Sequence, residues 1–353
     1  MFCAKRAETG FRRKNRFERG EANAVSEVRH LVRSTAHFSA AGSCWSPFCL
    51  LRFACNAVVV HTLRVAVISI MLVYMKIKPL FFTALIAFAH TLAPAADFTD
   101  AENSLVQDIL AFRLSLRSCA TDDEAIEQVH DYRKKSAERI AALGEEAQLV
   151  CTNMLTTAEY NVLYAKDMHS PGMEEVLRPQ YEKITAFAEH TPVPQQNPWF
   201  TLTAADITNS MMQFLKQKLA IKLGMQEKKD YAAVLEKHPQ MAMAHMFSGY
   251  WYYYAPGIAG GSKSKARQFF SDAHKYAAND FERYYSAINL SQMNFEDKEK
   301  AEATRLLDEA EKVLPGTRYV AFIRKINGLG YSLFDYNMNT TREKLDARLK
   351  EEK

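Results

Sequence analysis

Five consecutive aromatic residues, Tyr250-Trp251-Tyr252-Tyr253-Tyr254, are the clearest sign of a binding surface in this sequence. Neighbouring residues of a helix point in different directions, so five rings in a row cannot all face one core. Tyrosine, together with Met243 and Met246 just before the run, supplies large and adaptable contact area. Alternatively, these rings pack against Tyr284 and Tyr285, because aromatic residues are often buried. The sequence leaves both interpretations open.

The segment Met241-Ala242-Met243-Ala244-His245-Met246 contains thioether and imidazole groups, which suit Cu(I). On a helix, however, Met243 and Met246 share one face while Met241 and His245 share another. The four groups do not converge. We therefore predict ordinary packing here, with no metal and no cofactor.

Residue pairs that could act as general acid and base have a simpler explanation. The acid pairs Asp122-Asp123, Glu145-Glu146 and Glu174-Glu175 stand where helices are predicted to begin, and the helix dipole stabilises negative charge there. The sequence contains no H-E-x-x-H, no G-x-S-x-G and no cysteine set at metal-binding spacing. We expect a protein that is not an enzyme.

The elements that position these residues are predicted to be helices, with no convincing strand after residue 97. Apolar residues recur at helical spacing, and glycine, proline and capping residues mark the helix ends. Four helices are predicted before a proline-rich linker, Thr191 to Phe200. The later predictions are a helix over Thr203–Leu223 stopped by Gly224, a helix over Lys228–Lys237, two helix hairpins, and a terminal helix over Arg318–Asp335.

The two hairpins share a pattern of small and large residues. Gly249 and Tyr252 precede Ala266, Phe270 and Ala273, and the second unit gives Ala303, Leu307, Ala310 and Pro315 at matching intervals. The two units are 37 residues apart, from Ala266 to Ala303, and Ser291 stands where the second unit would have its glycine. Small residues in such a pattern let paired helices cross closely. Over Thr203–Asp335 the sequence resembles the tetratricopeptide repeat (TPR) family, whose helix pairs repeat at about 34 residues.

The resemblance implies an all-α fold in which antiparallel helix hairpins stack as a right-handed solenoid. The concave face of such a stack is its usual binding surface. With Gly249 aligned to the glycine of the motif, the residues implied to face that groove are Met243, Met246, Tyr250, Tyr253 and Tyr254, with Tyr285 from the next hairpin.

The long connection between the first two hairpin helices supports a narrower resemblance. The stretch Tyr253 to Ala266, with its Pro256-Gly257-Ile258-Ala259-Gly260-Gly261 core, is similar to the inter-helix loop of bacterial exported TPR proteins. Among these is the helical accessory component of TRAP-type transporters in spirochaetes. The loop precedes a helix start, so it could also line the mouth of a ligand site.

The N-terminal part of the chain carries an export signal. Met75-Lys76-Ile77-Lys78, an uncharged run and Ala93-Pro94-Ala95-Ala96 form a secretory signal peptide. We expect translation to start at Met75, residues 1–74 to be a non-native or disordered extension, and cleavage near Ala95 or Ala96. The alternative is a basic tail followed by a membrane helix. Residues 97–353 hold 32 basic and 37 acidic residues, which argues against nucleic-acid binding.

The predicted organisation is therefore a leader (1–74), a signal peptide (75–96), an N-terminal four-helix region (97–191), TPR-like repeats (203–336) and a C-terminal tail (337–353). Cys119 and Cys151 are expected to be thiols, because the predicted helices place them far apart. Our leading hypothesis is a periplasmic scaffold that binds a protein or peptide partner along a helical groove. The alternative is an accessory ligand-binding subunit of a periplasmic solute transport system, with a solute-binding protein as partner. An internal ligand cavity would favour the second hypothesis, and an open groove the first.

Overall fold

Thirteen α-helices follow one another in the computed structural model, which describes residues 97–351 and shows no β-strand in that part. The prediction of an all-α fold is confirmed. The helices are α1 (Asp100–Ser115), α2 (Asp122–Ala141), α3 (Glu145–Lys166), α4 (Met173–His190), α5 (Pro198–Met211), α6 (Gln217–Lys237), α7 (Ala242–Tyr254), α8 (Lys263–Tyr276), α9 (Asp280–Glu296), α10 (Lys300–Val313), α11 (Arg318–Gly328), α12 (Leu333–Tyr336) and α13 (Asn339–Glu351).

The helix starts follow the capping residues of the sequence. The side chain of Thr121 accepts a hydrogen bond from the backbone N–H of Glu124 at the start of α2, as predicted. Thr99 and Glu102 cap each other reciprocally at the start of α1. These local bonds satisfy backbone donors that have no partner within the helix.

The hairpin α7–α8 is held by a close approach of the two helices. A Cβ atom at Gly249 would lie 2.6 Å from the ring of Phe270, so only glycine admits that ring. Ala266, Phe270 and Ala273 are completely buried along the facing side of α8. The role that the sequence pattern assigned to these residues is confirmed.

The second hairpin, α9–α10, packs by the same rule, and α8 packs against α9 so that the hairpins stack. Ala303, Leu307 and Ala310 of α10 are buried, and Ser291 of α9 is fully buried at the position where the first hairpin has glycine. Small side chains at the crossing let the backbones come close. The architecture is therefore a stack of antiparallel helix hairpins.

The predicted boundary between α5 and α6 was wrong. We expected one helix over Thr203–Leu223 that ends at Gly224. Instead α5 ends at Met211, a 3₁₀ turn spans Met212–Phe214, and α6 continues through Gly224 to Lys237. The carbonyl of Gly224 accepts a hydrogen bond of 2.7 Å from the indole nitrogen of Trp251. Gly224 is thus a packing contact inside α6, and it does not end the helix.

The C-terminal predictions also need correction. The expected helix over Arg318–Asp335 is divided into α11 and the short α12 by a turn at Gly330, whose φ of 89° favours glycine. The segment 337–353, expected to be a tail, contains the helix α13. Leu345 of this helix is buried, so the segment packs on the rest of the described chain.

The N-terminal helices bury polar groups as well as apolar ones. Asn153 of α3 is fully buried, donates to the Thr203 hydroxyl of α5 at 3.1 Å, and accepts from the Gln180 amide of α4 at 2.7 Å. Because α5 packs against both α3 and α4, the helix after the proline-rich linker shares the core of the helices before it.

Cys119 and Cys151 are both buried free thiols, as predicted. Among the described residues, no helix is long and apolar enough to cross a membrane. The predicted leader (1–74), signal peptide (75–96) and cleavage site lie outside the described residues.

Candidate functional site

A cavity of about 610 Å³ lies between the N-terminal helices and the helix hairpins. Its wall is built from residues of α1 and the turn after it, of α2, α3 and α5, and of α6, α7, α9, α11, α12 and α13. This volume lies within the range of about 300–1,000 Å³ that is typical of small-molecule sites. The face that the TPR resemblance implies to be a peptide groove therefore lines a ligand-sized cavity.

The structure brings most of the predicted site residues into this wall. Met243, Met246, Tyr250 and Tyr254 of α7 line it, together with Tyr285 of α9. Their spacing of three and four residues along α7 places them on one helix face. Whether a ligand contacts them stays a prediction.

Tyr253 is the predicted residue that the structure places outside the cavity. Its ring lies 4.3 Å from that of Phe334, measured between ring centres, and its hydroxyl donates to a carboxylate oxygen of Glu296. Burial and the neighbouring Glu296 carboxylate raise the pKa of Tyr253 above its ordinary value. Tyr253 thus fastens α7 to α9 and α12.

Tyr250 combines the two roles that the sequence left open. Its ring packs edge-on against Phe270 at 5.2 Å, and its hydroxyl donates to the Asn289 side chain at 2.9 Å. Tyr284 was expected to pack against the aromatic run if its rings are buried. Its hydroxyl instead forms a hydrogen bond of 2.9 Å with the Thr317 hydroxyl. Tyr250 is therefore held rigidly in place while one side of it faces the cavity.

Two arginines of α1 and the following turn, missed by the sequence analysis, also line the cavity. The Arg113 side chain is 10% exposed, and its nearest carboxylate oxygen is Oδ2 of Asp206, 3.8 Å away. Burial lowers the pKa of Arg113, and the Asp206 carboxylate offsets part of that effect. Arg117 donates from Nε to the Tyr285 hydroxyl at 2.7 Å and lies 4.2 Å from the ring centre of Tyr319.

Glu227 of α6 is a buried acid in the same wall. It is 3% exposed, and neither carboxyl oxygen has a hydrogen-bond partner among the described residues. Burial raises the pKa of Glu227 to about 8, and the neighbouring carboxylates of Asp230 and Asp206 act in the same direction. Glu227 is therefore mostly protonated at neutral pH, when its carboxyl group can donate a hydrogen bond.

Helix α13, from the segment expected to be a tail, contributes Arg342 to the cavity wall. The guanidinium group of Arg342 donates to the carbonyl oxygens of Tyr164 and Ala165 at 2.8 and 3.0 Å. It also lies 5.3 Å from the ring centre of Tyr336. These contacts tie α13 to the C-terminal end of α3 and complete the wall.

The remaining sequence candidates have structural roles. The loop Pro256–Ser262 does not line the cavity, and a Cβ at Gly261 would lie 1.8 Å from the carbonyl oxygen of Ala255. The His245 ring contacts the Pro239 carbonyl at 2.8 Å. No group of three or more His, Cys, Asp or Glu residues in the described chain could hold a metal ion.

A signal for the missed residues was present in the sequence. Glu227 lies within the buried series Gly224, Tyr231 and Val234 at helical spacing, so a carboxylate interrupts an apolar face. Arg113 and Arg117 likewise continue the buried series of α1, one and two turns after Ile109. A charge on the buried face of a helix is costly unless it is partnered, and it therefore points to a site.

No protein-family model and no curated protein sequence matches this chain. Among solved structures, the chain is similar to a thermophilic TPR protein from Thermus thermophilus, with 12% sequence identity and a TM-score of 0.39. The match covers 64% of this chain and 99% of that protein. The assignment to stacked helix hairpins rests on the helix packing described above.

Proposed function

We propose that this protein binds a small amphipathic molecule in the cavity between its N-terminal helices and its helix hairpins. The observation that carries the proposal is a ligand-sized volume whose aromatic wall contains buried polar groups without hydrogen-bond partners among the described residues. Glu227 has two such oxygen atoms. Leaving buried polar groups unpaired costs about 1–3 kcal/mol each, and a bound molecule that pairs with them recovers this free energy.

The composition of the wall supports ligand binding. Its lining is rich in aromatic side chains, among them Trp251, Phe281 and Tyr319. Its tyrosines and methionines offer broad, adaptable contact area.

The same cavity supports the transport alternative over an open peptide groove. Helices α1 and α5 contact α9 and α7, so the concave face of the hairpins is covered by the protein's own N-terminal helices. Together with the export signal predicted at residues 75–96, this supports a periplasmic accessory subunit that presents a ligand to a solute-binding protein. An extended peptide would have to displace the N-terminal helices.

A protein partner is the second proposal, on an outer surface. Three exposed large apolar residues, Leu219, Ile221 and Met225, lie on α6 and are 41%, 57% and 38% exposed. Ile221 and Met225 are four residues apart and therefore share one helix face, and exposed apolar side chains that share a face are typical of protein contacts. This surface is compatible with simultaneous ligand binding in the cavity.

Native mass spectrometry of the protein purified from its natural source tests the ligand proposal. We expect a retained small molecule that Ala165→Trp removes, because Ala165 lines the cavity and is itself exposed, so the larger ring fills the cavity without disturbing the core. Ala111→Trp is the matched control, because Ala111 is exposed on α1 and does not line the cavity. Equal ligand retention by the two variants would contradict the proposal.

A further inference from the structure

Two arginines in the cavity wall lack a close carboxylate partner, and this feature indicates the ligand's headgroup. The inference rests on the proposed function. Most arginines of the described chain have a carboxylate oxygen within 3.5 Å; they include Arg133, Arg139, Arg178, Arg267, Arg283, Arg305, Arg318, Arg324 and Arg342. Arg113 and Arg117, by contrast, lack such a close partner. Both line the cavity.

Arg117 has no carboxylate oxygen within 4.0 Å among the described residues. The hydrogen bond from Nε to the Tyr285 hydroxyl and the stacking over the Tyr319 ring fix the plane of the guanidinium group. The two terminal nitrogen atoms of this group make no hydrogen bond to an acceptor in the described chain. Guanidinium is always charged and its paired N–H groups match the two oxygens of a carboxylate. The terminal N–H groups of Arg117, held in a fixed orientation, are therefore able to donate hydrogen bonds to a ligand anion.

Arg113 adds a second donor one helical turn earlier. Its side chain is nine-tenths buried, its ring contact is Phe281 at 5.2 Å, and it makes no hydrogen bond within the described chain. Asp206 at 3.8 Å is its nearest carboxylate; burial raises the pKa of Asp206, and the Arg113 charge acts in the opposite direction. Glu227 adds little negative charge, because its raised pKa of about 8 keeps it mostly protonated at pH 7.

We propose that Arg113 and Arg117 bind the carboxylate of an amphipathic monocarboxylate whose apolar body lies against Met243, Met246 and Tyr254. Two arginines face one nearby carboxylate, Asp206, so the site favours an anionic headgroup. The paired N–H groups of a guanidinium match the two oxygens of a carboxylate. In this arrangement the apolar body of the ligand packs against the residues that α7 contributes to the cavity wall.

Four amphiphiles with the same alkyl chain test the headgroup on the full chain at pH 7: dodecanoate, dodecanol, dodecyl phosphate and dodecyltrimethylammonium. Binding is measured by isothermal titration and by the change in tryptophan fluorescence, to which Trp251 of the cavity wall contributes. We expect dodecanoate to bind about tenfold more tightly than dodecanol, in line with a charge-assisted hydrogen bond. Tighter binding of dodecyl phosphate or dodecyltrimethylammonium would overturn the assignment.

Substitutions of the two arginines distinguish binding of the headgroup from binding of the apolar body in the cavity. Arg117→Gln is expected to abolish the preference for dodecanoate over dodecanol and to leave dodecanol binding unchanged. Arg113→Gln should act similarly, and Arg113→Lys should restore part of the preference because it restores the charge. Arg139→Gln is the control, since Arg139 is exposed and pairs with Asp108 on the outside of α2.

The outcomes distinguish the two proposals. If dodecanoate and dodecanol bind equally to the unaltered chain, the carboxylate site is wrong and the ligand cavity stands. If no amphiphile binds and the native protein retains no small molecule, the proposed function fails as well. Should Arg113→Gln fail to fold by circular dichroism, Arg117→Gln decides the result.

Discussion

The crossing of α7 with α8 and the contact of α3 with α4 and α5 differ in the side chains that meet there. Where α7 crosses α8, a small residue meets a large apolar one, as Gly249 does with Phe270. Where α3 meets α4 and α5, a buried hydrogen-bonded network joins the helices, in which Asn153 links Gln180 to Thr203. The first device depends on shape and the second on complete pairing of polar groups.

This difference has a consequence for function. Shape-based packing repeats along the chain, and it gives the stack a continuous face that carries Met243, Met246 and Tyr250. The Asn153 network is particular to one place, and it joins helices α3, α4 and α5. Residues of α3 and α5 line the same cavity as that face of α7.

The largest expected effect comes from the shape-based core. Phe270→Ala should lower the free energy of unfolding by about 4 kcal/mol, because it empties a fully buried site that is packed against Phe334 and Tyr250. Urea denaturation measures the change. Phe269→Ala is the matched control: Phe269 is half-buried, so its loss should cost about 1 kcal/mol. Equal losses would show that the crossing of α7 and α8 is not the main contact.

Glu227 lies on α6, between these helices in the chain. We predict that its buried carboxyl group makes the free energy of unfolding depend on pH. Its pKa is raised by burial from 4.5 to about 8, so the folded state keeps a proton that the unfolded state loses. The free energy of unfolding should therefore fall by about 1.4 kcal/mol per pH unit between about pH 5 and pH 8.

Urea denaturation across this pH range tests the effect, with Glu227→Gln expected to reduce the slope. A smaller slope of the same sign should remain, because burial also raises the pKa values of Asp206 and Asp230. Glu236→Gln, at an exposed position of the same helix, is the control and should keep the full pH dependence. An unchanged slope in the Glu227→Gln variant would assign the effect to another group.

Asn153→Leu tests the polar network of the N-terminal helices. We expect a loss of about 2 kcal/mol, because the leucine has a similar volume but leaves the buried Gln180 and Thr203 side chains each one hydrogen bond short. Thermal and urea denaturation measure it. Asn103→Leu, which removes an exposed bond to the Phe98 carbonyl, should cost less than about 0.5 kcal/mol. A stabilised Asn153→Leu variant would mean that this region packs by shape as the hairpins do.

Gly249→Ala gives the smallest expected loss, about 1.5 kcal/mol, because the Phe270 ring must move away from the added methyl group. The control is Gly257→Ala, where a Cβ meets nothing within 4 Å. Similar stabilities for the two variants would contradict the close crossing of α7 and α8.

Much of the fold could be predicted because it depends on local signals. Periodic apolar residues, the cap at Thr121 and the small-residue pattern of the hairpins act within one helix or between neighbouring helices, so their spacing is visible in the chain. The continuation of α6 through Gly224 could not be predicted, since Gly224 looks like a stop signal until Trp251 is seen to donate a hydrogen bond to its carbonyl. That contact joins residues 27 positions apart.

The sequence by itself determined the helical class, the two hairpins and the α7 segment that carries five of the six residues predicted as a site. Only the tertiary structure decided that one face of this segment lines a cavity, that Arg113, Arg117 and Glu227 join it, and that Tyr253 turns away toward Phe334. The physical reason is distance along the chain. Helix periodicity acts over a few residues, whereas a cavity wall is made from helices whose contacts depend on how every intervening element packs.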